Sequence, residues 1–276
     1  MRIDAHQHYW RYNPGRDTWI DDTMARLRHD FLPESAAPLL DALGFDGAIA
    51  VQADQSEAET AFLLDLASRH TRIRGVVGWV DLRSPELPER LAQWHGAKAL
   101  KGFRHIAQAE PDDSLAQRDV ADGVAQLGAH GYSFDLLITP AQLDSAATLV
   151  AQCPGVRFIL DHCAKPVIRD RDIAAWRDGL QRLAAYPHVA CKVSGLVTEA
   201  RWHDWLLADL VPYLNATLDA FGTERVLFGS DWPVCLLAAE WDRVYGVVDE
   251  WSTRLTASER AALFGGNAVT MYRLEE

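Results

Sequence analysis

FDLLITPAQLDSAATLVAQCPGVRFILDH, residues 134–162, reads as one complete strand–helix–strand repeat. Phe134–Thr139 is a short, mostly apolar run of the kind found in strands buried on both faces. Thr139–Pro140 supplies a helix N-cap and a first-turn proline, after which Leu143, Ala146, Ala147 and Val150 fall at helical spacing. Pro154–Gly155 stops that helix, and Arg157–His162 opens a second buried run. A helical crossover is what two parallel strands require, because the chain must return to the same end of the sheet before pairing again.

The alternation extends outward in both directions. Ile3–His8, Gly47–Gln52, Gly75–Val80 and Ala99–Arg104 precede this repeat, and Val189–Ser194 and Arg225–Asp231 follow it. Helical patterns such as Leu180–Leu183–Ala184 and Leu206–Leu207–Leu210–Leu214 fill the intervals. Eight strand–helix units in 276 residues predict an α/β fold, a single (β/α)8 TIM-type barrel spanning residues 1–276 as one domain. A doubly wound open sheet is the competing arrangement, but no GxGxxG turn follows the first strand.

Composition narrows the partners. Lys+Arg at 27 against Asp+Glu at 39 gives a net charge of −12, which leaves no basic face for phosphates and argues against nucleic acid. No apolar run approaches the roughly 18–20 residues a membrane span needs, so no membrane partner is expected. No apolar leader follows Met1. Cys153, Cys163, Cys191 and Cys235 show no CxxC spacing, and a chain this long needs no staples, so a reduced cytoplasmic setting is predicted.

Chemistry in such barrels gathers at the carboxyl ends of strands. The first run ends Asp4–Ala5–His6–Gln7–His8, and strand alternation predicts His6 and His8 on one face with Asp4 beneath them. Two imidazoles so spaced can share one metal ion or one substrate. The sixth run ends Asp161–His162, where alternation allows only one residue to face inward. The eighth ends Ser230–Asp231–Trp232–Pro233, with Asp231 readable as a base or as an N-cap. Lys101–His105 carries more charge than packing alone tolerates. Taken singly each of these is a weak signal; together, His6, His8, His162 and Asp231 predict one cluster. His29, His70, His95, His130, His188 and His203 fall in helices or connections and read as surface residues.

The HxH start, Lys101-Gly-Phe-Arg104-His105, Asp161-His-Cys-Ala-Lys165-Pro, Lys192-Val-Ser-Gly-Leu196 and Phe228-Gly-Ser-Asp231-Trp-Pro together resemble the amidohydrolase superfamily. The resemblance covers essentially the whole chain and points to the lactonase-type branch, near the bacterial lactonases that open L-fucono- and L-rhamnono-lactones. It implies a (β/α)8 barrel and hydrolytic opening of a lactone ring. It also implies at most one divalent metal, held by His6, His8, His162 and Asp231, for which three nitrogens and a carboxylate suit Zn²⁺. Some members of this branch work without a metal, so the ion is expected to be dispensable. No second histidine ends Val189–Ser194, which argues against the binuclear centre of other superfamily members.

Asp231 is the expected general base, returning its proton to the ring oxygen, with His6, His8, His162 and Arg104 facing the carbonyl oxygen directly or through a metal. The resemblance adds Lys165 as a basic substrate contact. Trp10, Gln52, Trp79 and Trp232 are the other expected substrate-binding residues, with Trp19, Ser194 and Glu199 nearby in the same strand-end segments. Aromatic faces with so few cations suit a neutral polyhydroxylated ring, a small-molecule sugar lactone, rather than a dicarboxylate. Tyr9–Pro33, long and without clear periodicity, is predicted to cover the barrel mouth. Two competing readings are a zinc-dependent decarboxylase on the same barrel and a non-catalytic sugar-binding module that would not need Asp231.

Overall fold

The computed structural model describes residues 1–275. Eight parallel strands run in chain order around the sheet: β1 (Ile3–Gln7), β2 (Gly47–Val51), β3 (Ile73–Gly78), β4 (Leu100–His105), β5 (Ser133–Leu136), β6 (Arg157–Leu160), β7 (Val189–Val193) and β8 (Val226–Phe228). Just beyond β8, Asp231 N–H donates to His6 O at 2.9 Å and His8 N–H to Trp232 O at 2.7 Å, which joins the last strand to the first. The result is the (β/α)8 barrel the sequence predicts.

The crossover helices are α1 (Pro33–Ala42), α2 (Glu57–Arg69), α3 (Leu87–Gln93), α4 (Arg118–Ala129), α5 (Leu143–Gln152), α6 (Ala174–Ala184), α7 (Leu196–Glu199), α8 (Leu207–Phe221) and α9 (Trp241–Trp251). Thr139 caps the turn into α5, where the Gln142 carboxamide oxygen accepts from the Thr139 N–H at 3.0 Å. Among the described residues no helix is long and apolar enough to cross a membrane. All four cysteines are free and buried.

Strand alternation divides the core in two. Phe134, Phe158 and Phe228 face the helices, while Ile3, Ala5, Ile49, Val51, Val77, Ile159, Ala190 and Leu227 fill the barrel interior. Two short helices, α10 (Ala257–Ala261) and α11 (Asn267–Tyr272), close the chain, and Met271, Tyr272 and Leu274 pack onto the interior residues as a floor. With the amino-terminal end closed, ligands can enter only at the carboxyl ends of the strands.

Several apolar runs extend past the hydrogen-bonded ladder. β6 stops at Leu160 and β8 at Phe228, short of the predicted His162 and Asp231. The residues beyond leave the strand conformation, with φ of 51° at His162 and 60° at Asp231. The tips of these two runs thus depart from regular strand conformation where they reach the site.

Where α10 meets α11 the chain crosses its own start, and a Cβ on Gly265 would lie 2.1 Å from Met1 O and 2.9 Å from Arg2 Cα. Backbone cannot yield as a side-chain tip can. Gly265→Ala is expected to destabilise the floor by about 1–3 kcal/mol through overpacking. A thermal melt should show a lower Tm with the far-ultraviolet spectrum unchanged; an unaltered Tm would count against the floor's role.

Candidate active site

His6 on β1 and His8 just beyond it reach the interior because the strand carries a bulge. Its register against β2 runs Ile3↔Gly47, Asp4↔Ala48 and then Gln7↔Ala50, one residue too many on β1. An inserted residue reverses the side-chain alternation. Ala5 packs inside the barrel, yet His6 also meets interior side chains. Asp4 is not beneath the histidines as strict alternation predicts. Its carboxylate accepts from Trp241 Nε1 of the outer layer at 3.0 Å, from Gln7 Nε2 at 2.8 Å and from Ser230 N–H at 2.8 Å.

A second departure from alternation brings in β6. His162, Cys163, Ala164 and Lys165 all have φ between 50° and 58°, a left-handed turn directly after the strand. Both Asp161 and His162 consequently face inward, where alternation allowed one. The His162 ring lies against the backbone of Gly195, whose φ is +64° and whose added Cβ would sit 2.7 Å from His162 Nδ1. Glycine is required there for both reasons.

Around Asp231 Oδ1 stand His8 Nε2 at 3.4 Å, His6 Nε2 at 3.7 Å and His162 Nε2 at 3.8 Å. All four side chains are buried. His8 Nδ1 faces the Val51 carbonyl at 2.8 Å, which can only accept, so that nitrogen carries a proton. His162 Nδ1 is 2.8 Å from Ser194 Oγ. Burial works against charge on Asp231, but His162, the hydrogen bond from His8, and His6 outweigh it and hold the carboxyl below its usual range. Burial lowers His6 well below the ordinary imidazole value and His162 to about 4, so both rings are neutral near pH 7.

Beneath this cluster lies a fully buried ion network. Lys192 Nζ on β7 is 2.6 Å from Asp135 Oδ2, 2.8 Å from Asp161 Oδ1 and 3.2 Å from His6 Nδ1. Tyr272 of the floor donates its hydroxyl to Asp135 at 2.6 Å. Arg104 Nη1 donates to Asp161 Oδ2 at 3.1 Å and lies 3.4 Å from His6 Nε2, while Nη2 donates to the Gln52 carbonyl. Burial opposes the charge on Asp161, yet Lys192, His6 and Arg104 keep it well below the usual carboxylate range. Sequence reasoning passed over Asp135 and Lys192 as site components. The signal was present, since each is a single charged residue inside a run otherwise fit for burial.

A cavity of about 430 Å³ opens above the cluster, within the range of small-molecule sites. His8, Arg104, His162, Lys165 and Asp231 line it, together with Trp10, Trp19 and Glu199. Lys165 Nζ is 3.4 Å from Glu199 Oε1 across the wall. The segment after β1 folds over the mouth, pinned where Trp10 and Phe31 exchange backbone hydrogen bonds at 2.9 Å. Trp10 meets Trp19 edge-on at a centroid distance of 5.9 Å.

Other expected contacts lie behind this wall. His6 is fully enclosed beneath His8 and Arg104. Gln52 is also buried and bonds Arg104 through both its side chain and its carbonyl, so it holds the arginine. Trp232 packs edge-on against Phe31 at 5.3 Å, and the backbone N–H of Trp79 is tied to Thr60. Neither indole is part of the cavity lining. Trp202, Leu137, Val234 and Leu237 line it without having been expected, because only the folded loops bring them together.

The donor set fits a divalent cation. Tetrahedral ligands at about 2.0–2.1 Å from zinc lie roughly 3.3 Å from one another. His6 Nε2 and His8 Nε2 are 3.1 Å apart, and each lies 3.4–3.7 Å from Asp231 Oδ1. His162 Nε2 stands 3.8 Å from the same oxygen and forms a second group with His6 and Asp161.

Comparison with known proteins agrees with this architecture. The amidohydrolase family profile matches residues 3–274. The chain is 48% identical over 288 residues to the L-fucono-1,5-lactonase of Burkholderia multivorans, covering 100% of this chain and 97% of that protein. It is 37% identical over 281 residues to the L-fucono-1,5-lactonase of Burkholderia ambifaria, covering 100% and 96%. The crystal structure of an amidohydrolase from Burkholderia multivorans with bound zinc superposes with a TM-score of 0.96 at 46% identity, over 100% of both chains.

The buried neutral ring of His162 makes a pH prediction. An unfolded chain binds a proton here near 6.5, whereas the folded ring takes one only near 4. Its contribution to stability is therefore full above the first value and is lost as pH falls toward the second. In denaturant titrations of metal-free protein, the stability gap between wild type and His162→Asn should be constant above pH 6.5 and should shrink below it. A gap that widens on acidification would contradict the burial of a neutral ring.

Proposed function

This chain belongs to the amidohydrolase family, and on that premise we propose that it hydrolyses a sugar-acid lactone, opening the ring of an L-fucono-, L-rhamnono- or related aldonolactone. The observation that carries the reading is Asp231, ionised at the wall of the cavity with three imidazoles within 3.4–3.8 Å, in a chain that aligns end to end with two L-fucono-1,5-lactonases.

Water attacks the lactone carbonyl as Asp231 takes its proton. The carboxylate is always available for this, because its neighbours keep it ionised throughout the working range. For the same reason, protonated Asp231 is a strong acid and readily returns the proton to the ring oxygen as the acyl–oxygen bond breaks. The oxyanion formed between these steps faces the Arg104 guanidinium, which Gln52 and Asp161 hold in place. Such donors act most strongly in a site shielded from water. A divalent cation held by His6, His8, His162 and Asp231 would further polarise the carbonyl and lower the pKa of water. The products are a hydroxy acid and, at neutral pH, one released proton.

The wall itself supports a neutral substrate. Its two permanent cations are already paired, Arg104 with Asp161 and Lys165 with Glu199. A dicarboxylate would find no free guanidinium or ammonium among these groups. The paired Lys165 and Glu199 instead offer a donor and an acceptor to ring hydroxyls, while Trp10 and Trp19 offer apolar faces.

A pH-indicator assay over a panel of sugar lactones, with and without chelator, tests the activity. Turnover of an aldonolactone is the expected result; CO₂ release from a carboxylated ring with no lactone turnover would replace this reading by the decarboxylase. Asp231→Asn should reduce kcat by about 10²–10⁴-fold with KM little changed. Trp19→Ala should raise KM by about threefold to tenfold while kcat holds, the loss of one aromatic contact. A lowered kcat with unchanged KM would instead tie Trp19 to the chemical step.

A further inference from the structure

Away from the cation cluster and its ion network, Glu59 is a second deeply buried acid beside the cavity. It stands in the first turn of α2 and is 3% exposed. Its carboxylate accepts from the Ala53 N–H at 3.2 Å, and its own N–H donates to Ser56 Oγ, also at 3.2 Å. Ser56 Oγ in turn donates to Asp54 Oδ2 at 2.6 Å. The connection from β2 into α2 is thereby folded back onto Glu59. That connection belongs to the cavity mouth. Ala53 lines the cavity, and Gln55 Oε1 accepts at 2.8 Å from the N–H of Ile106, another lining residue.

The segment that follows β1 meets the same carboxyl from above. Arg16 and Asp17 face Glu59 from that segment, and Asp54 faces it from the β2–α2 connection. Arg16 is already engaged by Asp17, with Nε donating to Oδ1 at 2.7 Å and Nη2 to Oδ2 at 3.0 Å. Asp17 also accepts from the Asn13 N–H at 2.8 Å, which closes a tight turn two residues before Trp19 of the cavity wall. Three carboxylates thus share one guanidinium. Burial pushes the Glu59 carboxyl up to about 7; the Ala53 N–H and Arg16 oppose this, while Asp54 and Asp17 add to it.

We propose that Glu59 is a positioning residue for the cavity mouth, and that closure of the Tyr9–Pro33 segment over it is a proton-binding step. Lifting the segment takes Arg16 and Asp17 away and brings water to the carboxyl, which then titrates near its ordinary 4.5. Closure raises that value to about 7, so the closed mouth binds the proton more tightly than the open one. The resulting hold is full below pH 4.5, is lost as pH rises to about 7, and stays constant above. Trp10 and Trp19 ride on the segment, so substrate affinity follows the same course. This last consequence rests on the cavity being the lactone site proposed above.

Amide hydrogen exchange of residues 11–28, corrected for intrinsic chemical rates, tests the proposal in the wild-type protein without substrate. Protection is expected to be about tenfold or more higher at about pH 5 than at about pH 7.5, with the amides of α5 as the internal reference. Protection that is equal at the two values, or higher at the alkaline one, overturns the proposal. In Glu59→Gln, neutral at both values, the segment should be equally protected at both; a pH response that survives the substitution overturns the assignment to Glu59. With a lactone that turns over, KM of the wild type should rise by about threefold or more across the same interval. A response confined to kcat would overturn the positioning role. Exchange needs no turnover, so its outcome is separate from that of the lactonase reading.

Discussion

An ammonium ion with no exposure to solvent sits near the middle of this barrel, and much of the site depends on how it is paired. Lys192 would be intolerable alone in such surroundings. Asp135 and Asp161 compensate it at 2.6 and 2.8 Å. Breaking one partner out of such a buried group typically costs about 3–5 kcal/mol, because the remaining charge is left uncompensated. The network is therefore strongly specified, and specification is what a catalytic site needs.

That rigidity is transmitted in two directions. Downward, Tyr272 of the last helix bonds Asp135, so the segment that plugs the barrel floor is coupled to the ion network. Upward, Asp161 positions Arg104 and Lys192 meets His6. His6 then stands edge-to-face with His8 and 4.5 Å, centroid to centroid, from His162.

The cavity above is built with less constraint. Its polar wall comes from strand ends, where ladder hydrogen bonds locate the backbone to within the freedom of a single turn. Its aromatic wall comes from the segment after β1, anchored by the Trp10–Phe31 backbone pair and by Arg26, which bonds Leu236 O at 2.9 Å. The two walls do different work. The titratable groups sit at the strand ends, and the aromatic groups Trp10 and Trp19 sit on the loop.

The sequence by itself determined the barrel and the strand ends at which its titratable residues gather. Eight apolar runs with helical crossovers leave few arrangements in which every strand is buried on both faces. His6, His8, His162 and Asp231 were legible for a related reason, since titratable residues at the tips of buried runs have no packing role to explain them. The tertiary structure alone decided which way those residues face. Alternation would have placed Asp4 with the histidines and excluded either Asp161 or His162, and both expectations failed at irregular backbone, the bulge in β1 and the left-handed turn after β6. It also decided that Gln52 supports Arg104, that Trp79 and Trp232 lie behind the cavity wall, and that Lys192, Asp135 and Tyr272 meet at its base. Periodicity describes a regular strand, whereas a one-residue bulge or four positive φ angles leave almost no trace in composition. Partners separated by 57 and 137 positions become neighbours only when the barrel closes.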